Sequence, residues 1–411
     1  MILVINVSKR NKKRSFRLLL KTGLCSVQKI RSTETIAEYN KRLILDALRF
    51  HGSMSRADLS RYLNMSFPAI SSNTKGLLES NYIMEVGTGD NSIGRKSTML
   101  AFNAERGYII GIDLGRFRIR MMLADLLGNE VASTEIINSA NSSGDGKQSI
   151  QLVHDQVNDI LKKTKKTKDD ILCIVIGIPG IIKDGQSYLA PFTEKYLEKD
   201  MIDTLQDAFE ADVLLENCVN LGVIGEQWKG AGVNYKDIMY IAYGVGLGSA
   251  LIVDGKLYKG ANGAVGEIGF MITDPTNIDK KYDEVGSLEE ALSRSKINKY
   301  LDSGNFDEEV IKLIERYKNG GNTYAKLIID EIALHFGMAL VNISALLNPE
   351  AIIIAGGLGA NLGKLFIDQW KETLNNQVPF APELLLSQLN HRETMLGAVM
   401  TGIIHIHAYK I

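Results

Sequence analysis

Four glycine-rich turns follow strand-like segments, and they are the first features of the sequence that could do chemistry. Backbone amides in such turns can hold the oxygen atoms of a phosphate or a sugar. One such turn is weak evidence because glycine is common at strand ends, but four in one chain favour a small-molecule site in a cleft. The turns are Asp113-Leu114-Gly115, Ile178-Pro179-Gly180, Gly244 to Gly248, and Gly356-Gly357-Leu358-Gly359.

The segments that carry these turns repeat along the chain. Residues 108–132 have the pattern strand, glycine turn, strand, glycine turn and strand, and residues 238–258 repeat it with a hairpin signal at Asp254-Gly255. Buried strands at 174–178 and 351–355 alternate with helices after each unit. The sequence therefore predicts a duplicated α/β fold with a cleft between two lobes.

The sequence before this body predicts three helices. Apolar residues at 36–48 recur at helical spacing and indicate an amphipathic helix. Ser55, with an acid three residues later, resembles the N-cap of a short helix that runs to about Leu63. Asn64 tolerates left-handed backbone angles and fits a tight turn, after which Ser66 caps the next helix. This arrangement is typical of a helix-turn-helix.

A β-hairpin is predicted directly after the helices. Two short runs, at 82–86 and 95–100, enclose a glycine-rich tip and together resemble a wing. The second helix of a helix-turn-helix enters the DNA major groove, so its outward side chains and the basic wing are candidate contacts to phosphates and base edges. The alternative is a plain three-helix cap with a polar face. The predicted DNA contacts are Arg56, Ser66, Phe67, Ser71, Ser72, Asn73, Lys75, Arg95 and Lys96.

Charge is distributed unevenly along the chain. Residues 1–104 hold 17 Lys and Arg against 7 Asp and Glu, whereas the remainder holds 30 against 41. A basic first quarter on an acidic body favours a head that binds a polyanion, with double-stranded DNA as the obvious partner. The alternative is a solvated basic arm that binds nothing. Residues 1–32 are predicted to be a basic N-terminal arm, with no assigned fold.

Composition excludes several protein classes. Apolar residues make up 45% and charged residues 23% of the 411 residues, which excludes a disordered chain or a disulfide scaffold. The longest apolar runs fall short of the roughly 18 residues of a membrane helix, and Met1–Ile5 is too short for a signal-peptide core. Three cysteines in so long a chain fit a reducing compartment. We therefore expect a cytoplasmic protein without a membrane partner.

Several motifs of the body occur together and are highly specific as a set. They are Gly111-Ile112-Asp113-Leu114-Gly115, Gly177-Ile178-Pro179-Gly180, Glu216-Asn217, Gly225-Glu226, the run from Gly260 to Gly269, Leu347-Asn348-Pro349-Glu350, and Ser92-Ile93-Gly94-Arg95-Lys96 at the junction. On these residues the chain resembles the ROK family (repressor, open reading frame, kinase) from about Thr33 to the C-terminus. The resemblance implies a hexokinase/actin-like, ribonuclease H-like fold and, with a winged helix in front, a sugar-responsive transcription factor.

The resemblance also implies where a kinase would carry its catalytic base. Family kinases place an acid directly after the Glu-Asn pair, and Cys218 stands there in this chain. Family kinases follow the first Asp-x-Gly with a second glycine and Thr or Ser, where this chain has Arg116 and Phe117. A neutral thiol cannot replace a carboxylate, and bulky side chains keep the backbone away from phosphate. We therefore predict a body without catalytic activity.

The zinc site of the family is expected to be absent. Members carry a His after the Glu-x-Gly motif and three cysteines shortly after it, but this chain has Phe270 at the His position, Ser287 at one cysteine position, and no cysteine beyond Cys218. A tetrahedral zinc site needs four nitrogen or sulfur donors. Residues 274–286 are predicted to be a metal-free loop, and no cofactor is expected.

A sugar pocket is implied by what remains of the family's site. Carboxylates and amides suit sugar hydroxyls because they form paired hydrogen bonds, and an aromatic ring at position 270 could stack on a sugar face. The alternative is that these residues are structural leftovers. The predicted ligand-binding residues are Gly180, Asn217, Glu267, Phe270 and Glu289.

Together these observations predict a transcriptional repressor of a carbohydrate operon, with xylose as one candidate inducer. Residues 33–103 would form the winged helix-turn-helix and residues 104–411 the sensor, with lobes of about 104–235 and 236–411. A sugar or sugar phosphate would alter lobe closure in a homodimer or higher oligomer on a palindromic operator. The alternatives are an ATP-dependent ROK sugar kinase, and a regulator that responds to a protein partner instead of a sugar.

Overall fold

The computed structural model describes most of the 411-residue chain. The described residues are 36–88, 97–139, 146–183, 186–188, 197–244, 246–279, 281, 285–292, 306–320 and 323–409. The predicted basic arm, the tip of the predicted wing, and the predicted DNA contacts Arg95 and Lys96 lie outside them. Residues 36–102 are called the head below, and the later residues the body.

The described part of the head combines three helices with a small antiparallel sheet. The sheet has the order β1-β3-β2, and its first strand, two residues long, was not expected from the sequence. The two longer strands are the predicted hairpin, displaced by one to three residues. The elements are α1 (Ile36–His51), β1 (Met54–Ser55), α2 (Arg56–Leu63), α3 (Phe67–Glu79), β2 (Ile83–Thr88) and β3 (Thr98–Phe102).

Local signals in the sequence fix the ends of the head helices. Ser55 forms a capping box with Asp58: its Oγ accepts a hydrogen bond from the Asp58 amide at 3.1 Å, and the Asp58 carboxylate accepts one from the Ser55 amide at 3.2 Å. Asn64 ends α2 in the left-handed conformation, at φ 52°. Ser66 caps α3 through its Oγ, which accepts from the Ala69 amide at 3.4 Å. The predicted caps and turn are therefore confirmed.

The body contains two sheets with equivalent topology. Among the described residues, the first has the order β10-β7-β4-β5-β6 and the second β13-β12-β11-β14-β15, so each begins with an antiparallel meander and continues through parallel crossovers. The prediction of a duplicated α/β body is confirmed. The strands are β4 (Tyr108–Leu114), β5 (Arg118–Asp125), β6 (Glu130–Ile137), β7 (Ile171–Ile178), β8 (Ile181–Lys183), β9 (Gln186–Tyr188), β10 (Asp212–Asn217), β11 (Ile238–Tyr243), β12 (Leu247–Val253), β13 (Lys256–Tyr258), β14 (Ala351–Ala355) and β15 (Glu383–Leu386).

Helices cover both faces of each sheet. Helices α4 and α5 pack on the outer face of the first sheet, and α7 to α10 cover the outer face of the second. Within the described residues, one stretch, 326–347 in α9, is long and apolar enough to cross a membrane, but it lies mostly buried in the core of the second lobe. The helices are α4 (Gly146–Thr164), α5 (Leu197–Phe209), α6 (Cys218–Lys229), α7 (Ser287–Ala291), α8 (Phe306–Lys318), α9 (Thr323–Leu347), α10 (Gly357–Gln377) and α11 (Glu393–Tyr409).

Two helices, α6 and α11, form a layer between the sheets. Helix α11 packs against β4 and β7 of the first sheet, whereas α6 packs against β11 and β12 of the second. Helix α11 lies in the predicted lobe of 236–411, and its apolar residues Ala398, Val399 and Ile403 complete the core under the first sheet. The exact domain boundaries stay a prediction.

Glycines bring α6 and α11 into direct backbone contact. A Cβ on Gly225 would lie 2.1 Å from the carbonyl oxygen of Glu393, and a Cβ on Gly397 would lie 1.8 Å from the carbonyl oxygen of Leu221. Only glycine fits where two backbones approach this closely. The crossing therefore sets the distance between α6 and α11.

Candidate functional site

The outer face of α3 is the candidate nucleic-acid interface. Phe67 is 54% exposed, and Ser66, Ser72 and Lys75 are exposed as well. The Lys75 ammonium lies 3.9 Å from the Glu79 carboxylate, one turn further along the same face. This face can offer hydroxyl and ammonium donors to phosphate oxygens and base edges.

Three of the predicted contacts take part in interactions within the head. Ser71 and Asn73 are partly buried, and the Asn73 amide donates to the Ala69 carbonyl at 2.8 Å. Arg56 donates through Nε to Thr74 Oγ1 at 3.3 Å, and its Nη2 lies 3.5 Å from Glu85. Arg56 thus links α2 to α3 and β2, and its role at DNA stays a prediction.

The first half of the predicted pocket lies where β10 meets α6. Asn217 caps α6, since its Oδ1 accepts from the backbone amides of Val219 at 2.7 Å and Asn220 at 3.0 Å. Its Nδ2 donates to the carbonyl of Gly180 at 2.6 Å, and Gly180 itself needs a positive φ of 99°. The structure therefore brings Asn217 and Gly180 together, and their role in ligand binding stays a prediction.

The second half of the predicted pocket comes from the other lobe. Burial raises the pKa of the Glu267 carboxyl, and the nearby Glu289 carboxylate raises it further. Burial also raises the pKa of Glu289, whose Oε1 accepts from the Leu247 amide at 3.2 Å. Phe270 ends the short 3₁₀ turn that follows Glu267 and is partly buried. Two desolvated carboxyls therefore lie next to each other in the second lobe.

Contacts across the cleft join the two halves. Lys259, just after β13, forms an ion pair with Glu216 at the end of β10. A Cβ on Gly263 would lie 3.0 Å from the carbonyl of Ile182, so the loop that leads to Glu267 passes close to the first lobe. Glu216 also accepts from the Asn220 amide side chain at 3.0 Å, which ties this ion pair to α6.

Cys218, which the resemblance predicts at the position of a family kinase's base, is a thiol that stays protonated at neutral pH. Burial, with a smaller contribution from Asp113, raises the pKa of Cys218 to about 12. Arg120 lies 3.3 Å from Asp113, so the acid of the first glycine turn already has an internal cationic partner. At the same turn Phe117 is 48% exposed, and the Arg116 guanidinium lies 5.4 Å from its ring centroid.

Sequence reasoning missed a group of buried acids in the layer between the sheets. Burial raises the pKa of Glu393 at the start of α11, where Asp113 raises it further. Burial also raises the pKa of Glu226 in α6, and this carboxylate accepts from Ser387 Oγ and from the Ala231 amide. Glu226 appeared only inside a family motif, and Glu393 carried no signal, because nothing in the local sequence shows that α11 returns to the first sheet.

The region where the resemblance predicts the loss of a zinc site offers few metal donors. Phe270, predicted to replace a His, offers no donor atom, and the Ser287 hydroxyl accepts from the Asn277 amide at 3.1 Å. Within the residues that the structure describes, no group of three His, Cys, Asp or Glu side chains is placed to hold a metal ion. The metal-free loop at 274–286 stays a prediction, since part of it lies outside the described ranges.

Comparison with known proteins agrees with this architecture. The chain is 29% identical to the xylose repressor of Caldicellulosiruptor bescii over 383 residues, which cover 89% of this chain and 95% of the relative. The crystal structure of a ROK family transcriptional regulator, a homolog of the E. coli MLC protein, matches 90% of this chain and 98% of its own at a TM-score of 0.71 and 20% identity. The structure of the ROK hexokinase of Thermus thermophilus matches 73% of this chain and 99% of its own chain, at a TM-score of 0.60 and 18% sequence identity. The ROK family model covers residues 109–402, and the chain belongs to the ROK family.

Proposed function

We propose that this protein is a sugar-responsive transcriptional repressor. In this proposal the head is a winged helix-turn-helix that binds a palindromic operator as a homodimer or higher oligomer, and the body is a sensor without kinase activity. The relatives of similar length that are named xylose repressors support this function. A regulator of this kind would work in the cytoplasm.

One observation carries the proposal. A helix pair with the predicted caps and turn presents the exposed face of α3. It is joined to a kinase-like body whose proposed base position holds the partly buried thiol of Cys218. A thiol with a pKa of about 12 cannot accept the proton of a sugar hydroxyl at neutral pH. The combination favours recognition of DNA and sugar over phosphoryl transfer.

The pocket favours a neutral polyol over a phosphorylated ligand. Glu267 and Glu289 would accept hydrogen bonds from sugar hydroxyls, while Asn217 and Gly180 would form the opposite wall of the pocket. Two adjacent carboxyls repel a phosphate, and Phe270 can cover one sugar face. Xylose is the first candidate because of the names of the relatives, and the residues themselves do not distinguish it from a hexose.

A titration of wild-type protein tests the proposal. A fluorescent duplex selected in vitro on the full chain should bind tightly at low ionic strength, and D-xylose should weaken that binding. A coupled assay with Mg-ATP across common pentoses and hexoses should give no turnover. Failure to bind any duplex at low ionic strength overturns the proposal, and robust turnover replaces it with the kinase alternative.

A further inference from the structure

One helix connects the pocket to the head through a single turn, and we propose that this connection transmits the ligand signal to the DNA-binding face. The helix is α6, and the turn is residues 125–129 between β5 and β6, called the junction turn below. The inference rests on the proposed function, because it specifies how the sugar site of that function would regulate its head.

The first end of α6 belongs to the pocket. Asn217, the N-cap of α6, donates a hydrogen bond to the Gly180 carbonyl at 2.6 Å. A ligand that contacts either residue would therefore displace the first turn of the helix. The 12 residues of α6 rise about 1.5 Å each and thus reach about 16 Å from the pocket. A helix of this length moves as one body.

The other end of α6 holds the junction turn. The Trp228 ring packs directly on Gly128, where a Cβ would lie 2.2 Å from ring atom Cη2. The Lys229 ammonium donates to the Gly128 carbonyl at 2.7 Å. Gly128 has a φ of 74°, and the Asp125 carboxylate accepts from the amides of Leu127 and Asn129, so the turn is rigid. A displacement of α6 must therefore displace the turn.

The junction turn in turn holds the head. Arg49, in the last turn of α1, donates through Nη2 to the Leu126 carbonyl at 3.1 Å, and its guanidinium lies 5.2 Å from the Phe102 ring centroid. Leu126 is 2% exposed, in the same apolar cluster as Leu48 of the head. Burial lowers the pKa of Arg49 to about 10, which leaves the group charged at neutral pH. One turn thus contacts both α6 and α1.

The crossing of α6 and α11 allows the movement that the connection needs. At Gly225 and Gly397 the two backbones touch directly, with no side chain of either residue between them. Packed helices slide past each other by small shear movements in many domain closures. A sugar that favours one lobe arrangement would shift α6 along this crossing, and with it the junction turn and α1.

The test compares Lys229→Met with a matched control, Lys371→Met, at an exposed lysine of α10. The full chain is titrated with the selected fluorescent duplex, with and without D-xylose. Wild type and the control should show a sugar-dependent change in DNA affinity of about 5- to 150-fold, while Lys229→Met should reduce it to less than about threefold. DNA affinity without xylose and xylose affinity should stay close to wild type. Lys229→Met with full wild-type coupling overturns the connection.

Hydrogen exchange separates failure of this inference from failure of the proposed function. Wild type whose DNA affinity ignores xylose contradicts the proposed sugar response, whatever the contacts of α6. In the unliganded protein, the amides of residues 36–51 should exchange faster in Lys229→Met than in wild type or the control, because α1 loses part of its support. Arg49→Lys should likewise speed exchange of these amides, because a lysine ammonium lacks the forked guanidinium geometry with which Arg49 reaches the Leu126 carbonyl. Unchanged exchange in both variants overturns the connection.

Discussion

The head and the layer between the sheets are both built from short helices, but different contacts hold them. In the head, helix ends are fixed by residues within a few positions of each other, such as Ser55 with Asp58. In the layer, α6 meets α11 through Leu221 and Gly397, which are far apart in sequence. The head is therefore specified by local signals and the layer by long-range contact.

The two regions also differ in how they treat polar groups. The face of α3 exposes Lys75 and Ser72 to solvent, whereas the body buries carboxyls such as Glu226 and Glu289 and raises their pKa values. Exposed charges are screened by salt, and buried carboxyls respond to pH. Salt should thus modulate the exposed face of α3, and pH the pocket and layer.

A pair of glycine substitutions should show the largest difference between the regions. A Cβ on Gly397 meets the Leu221 backbone at 1.8 Å, whereas a Cβ on Gly76 in α3 meets only the flexible end of Lys41 at 3.4 Å. Gly397→Ala should lower the free energy of unfolding by at least about 3 kcal/mol, and Gly76→Ala should raise it by up to about 1 kcal/mol. Urea unfolding followed by circular dichroism measures both. Equal effects would show that the crossing is not close-packed.

The same difference explains what could be predicted from the sequence. Capping residues and the Asn64 turn gave the head helices to within a residue or two, because their signals are local. The repeated strand pattern predicted the central strands of both sheets but not the edge strands β10 and β15. The return of α11 to the first sheet was missed, since it depends on the fit of Ala398 and Val399 under β4 and β7, which no local pattern encodes.

The pocket was predicted only in part for a related reason. Asn217 and Gly180 were named through family resemblance, but the bond between them follows from the register of β10 beside β7. The Asp113–Arg120 pair depends on the antiparallel register of β4 and β5, and the Lys259–Glu216 pair on the approach of the two lobes. Residue types in the sequence indicate which chemistry a site can do, whereas tertiary contacts determine which residues pair with each other in the site.

Removal of positive charge from the head should give the next largest effect. The double variant Lys75→Ala/Arg95→Ala should lose about 10- to 100-fold in operator affinity, and the slope of log affinity against log salt should become shallower by about 2, because two phosphate contacts are lost. Fluorescence anisotropy at several salt concentrations measures both quantities. Lys371→Ala in the body is the control, and an unchanged slope in the double variant would contradict the assigned interface.

A pair of cap substitutions compares the two regions at similar positions. The Asn217 side chain accepts hydrogen bonds from two backbone amides at 2.7 and 3.0 Å and also donates one to the Gly180 carbonyl. The Ser66 side chain accepts a hydrogen bond from one backbone amide at 3.4 Å. Asn217→Ala should cost about 2 kcal/mol of unfolding free energy and weaken sugar binding, while Ser66→Ala should cost about 0.5 to 1 kcal/mol. Urea unfolding and calorimetric sugar titration measure these effects. A larger loss at Ser66 would reverse the comparison.

The smallest effect is expected from Glu289→Gln, and its sign follows from burial. Burial raises the pKa of Glu289 above its ordinary value of 4.5, partly offset by the hydrogen bond from the Leu247 amide. The folded state therefore holds this proton more tightly than the unfolded chain, and its contribution to stability is full below pH 4.5 and is lost as pH rises through the raised pKa. Glutamine keeps an oxygen that can accept a hydrogen bond from the Leu247 amide but does not ionise.

Variant and wild type should unfold at similar temperatures near pH 4, and the variant should unfold at a higher temperature near pH 8, as measured by scanning calorimetry. Glu79→Gln on the exposed face of α3 is the matched control from the head. A lower unfolding temperature for Glu289→Gln at the higher pH would show that the ionised carboxylate stabilises the pocket, and that the two regions do not differ in this respect.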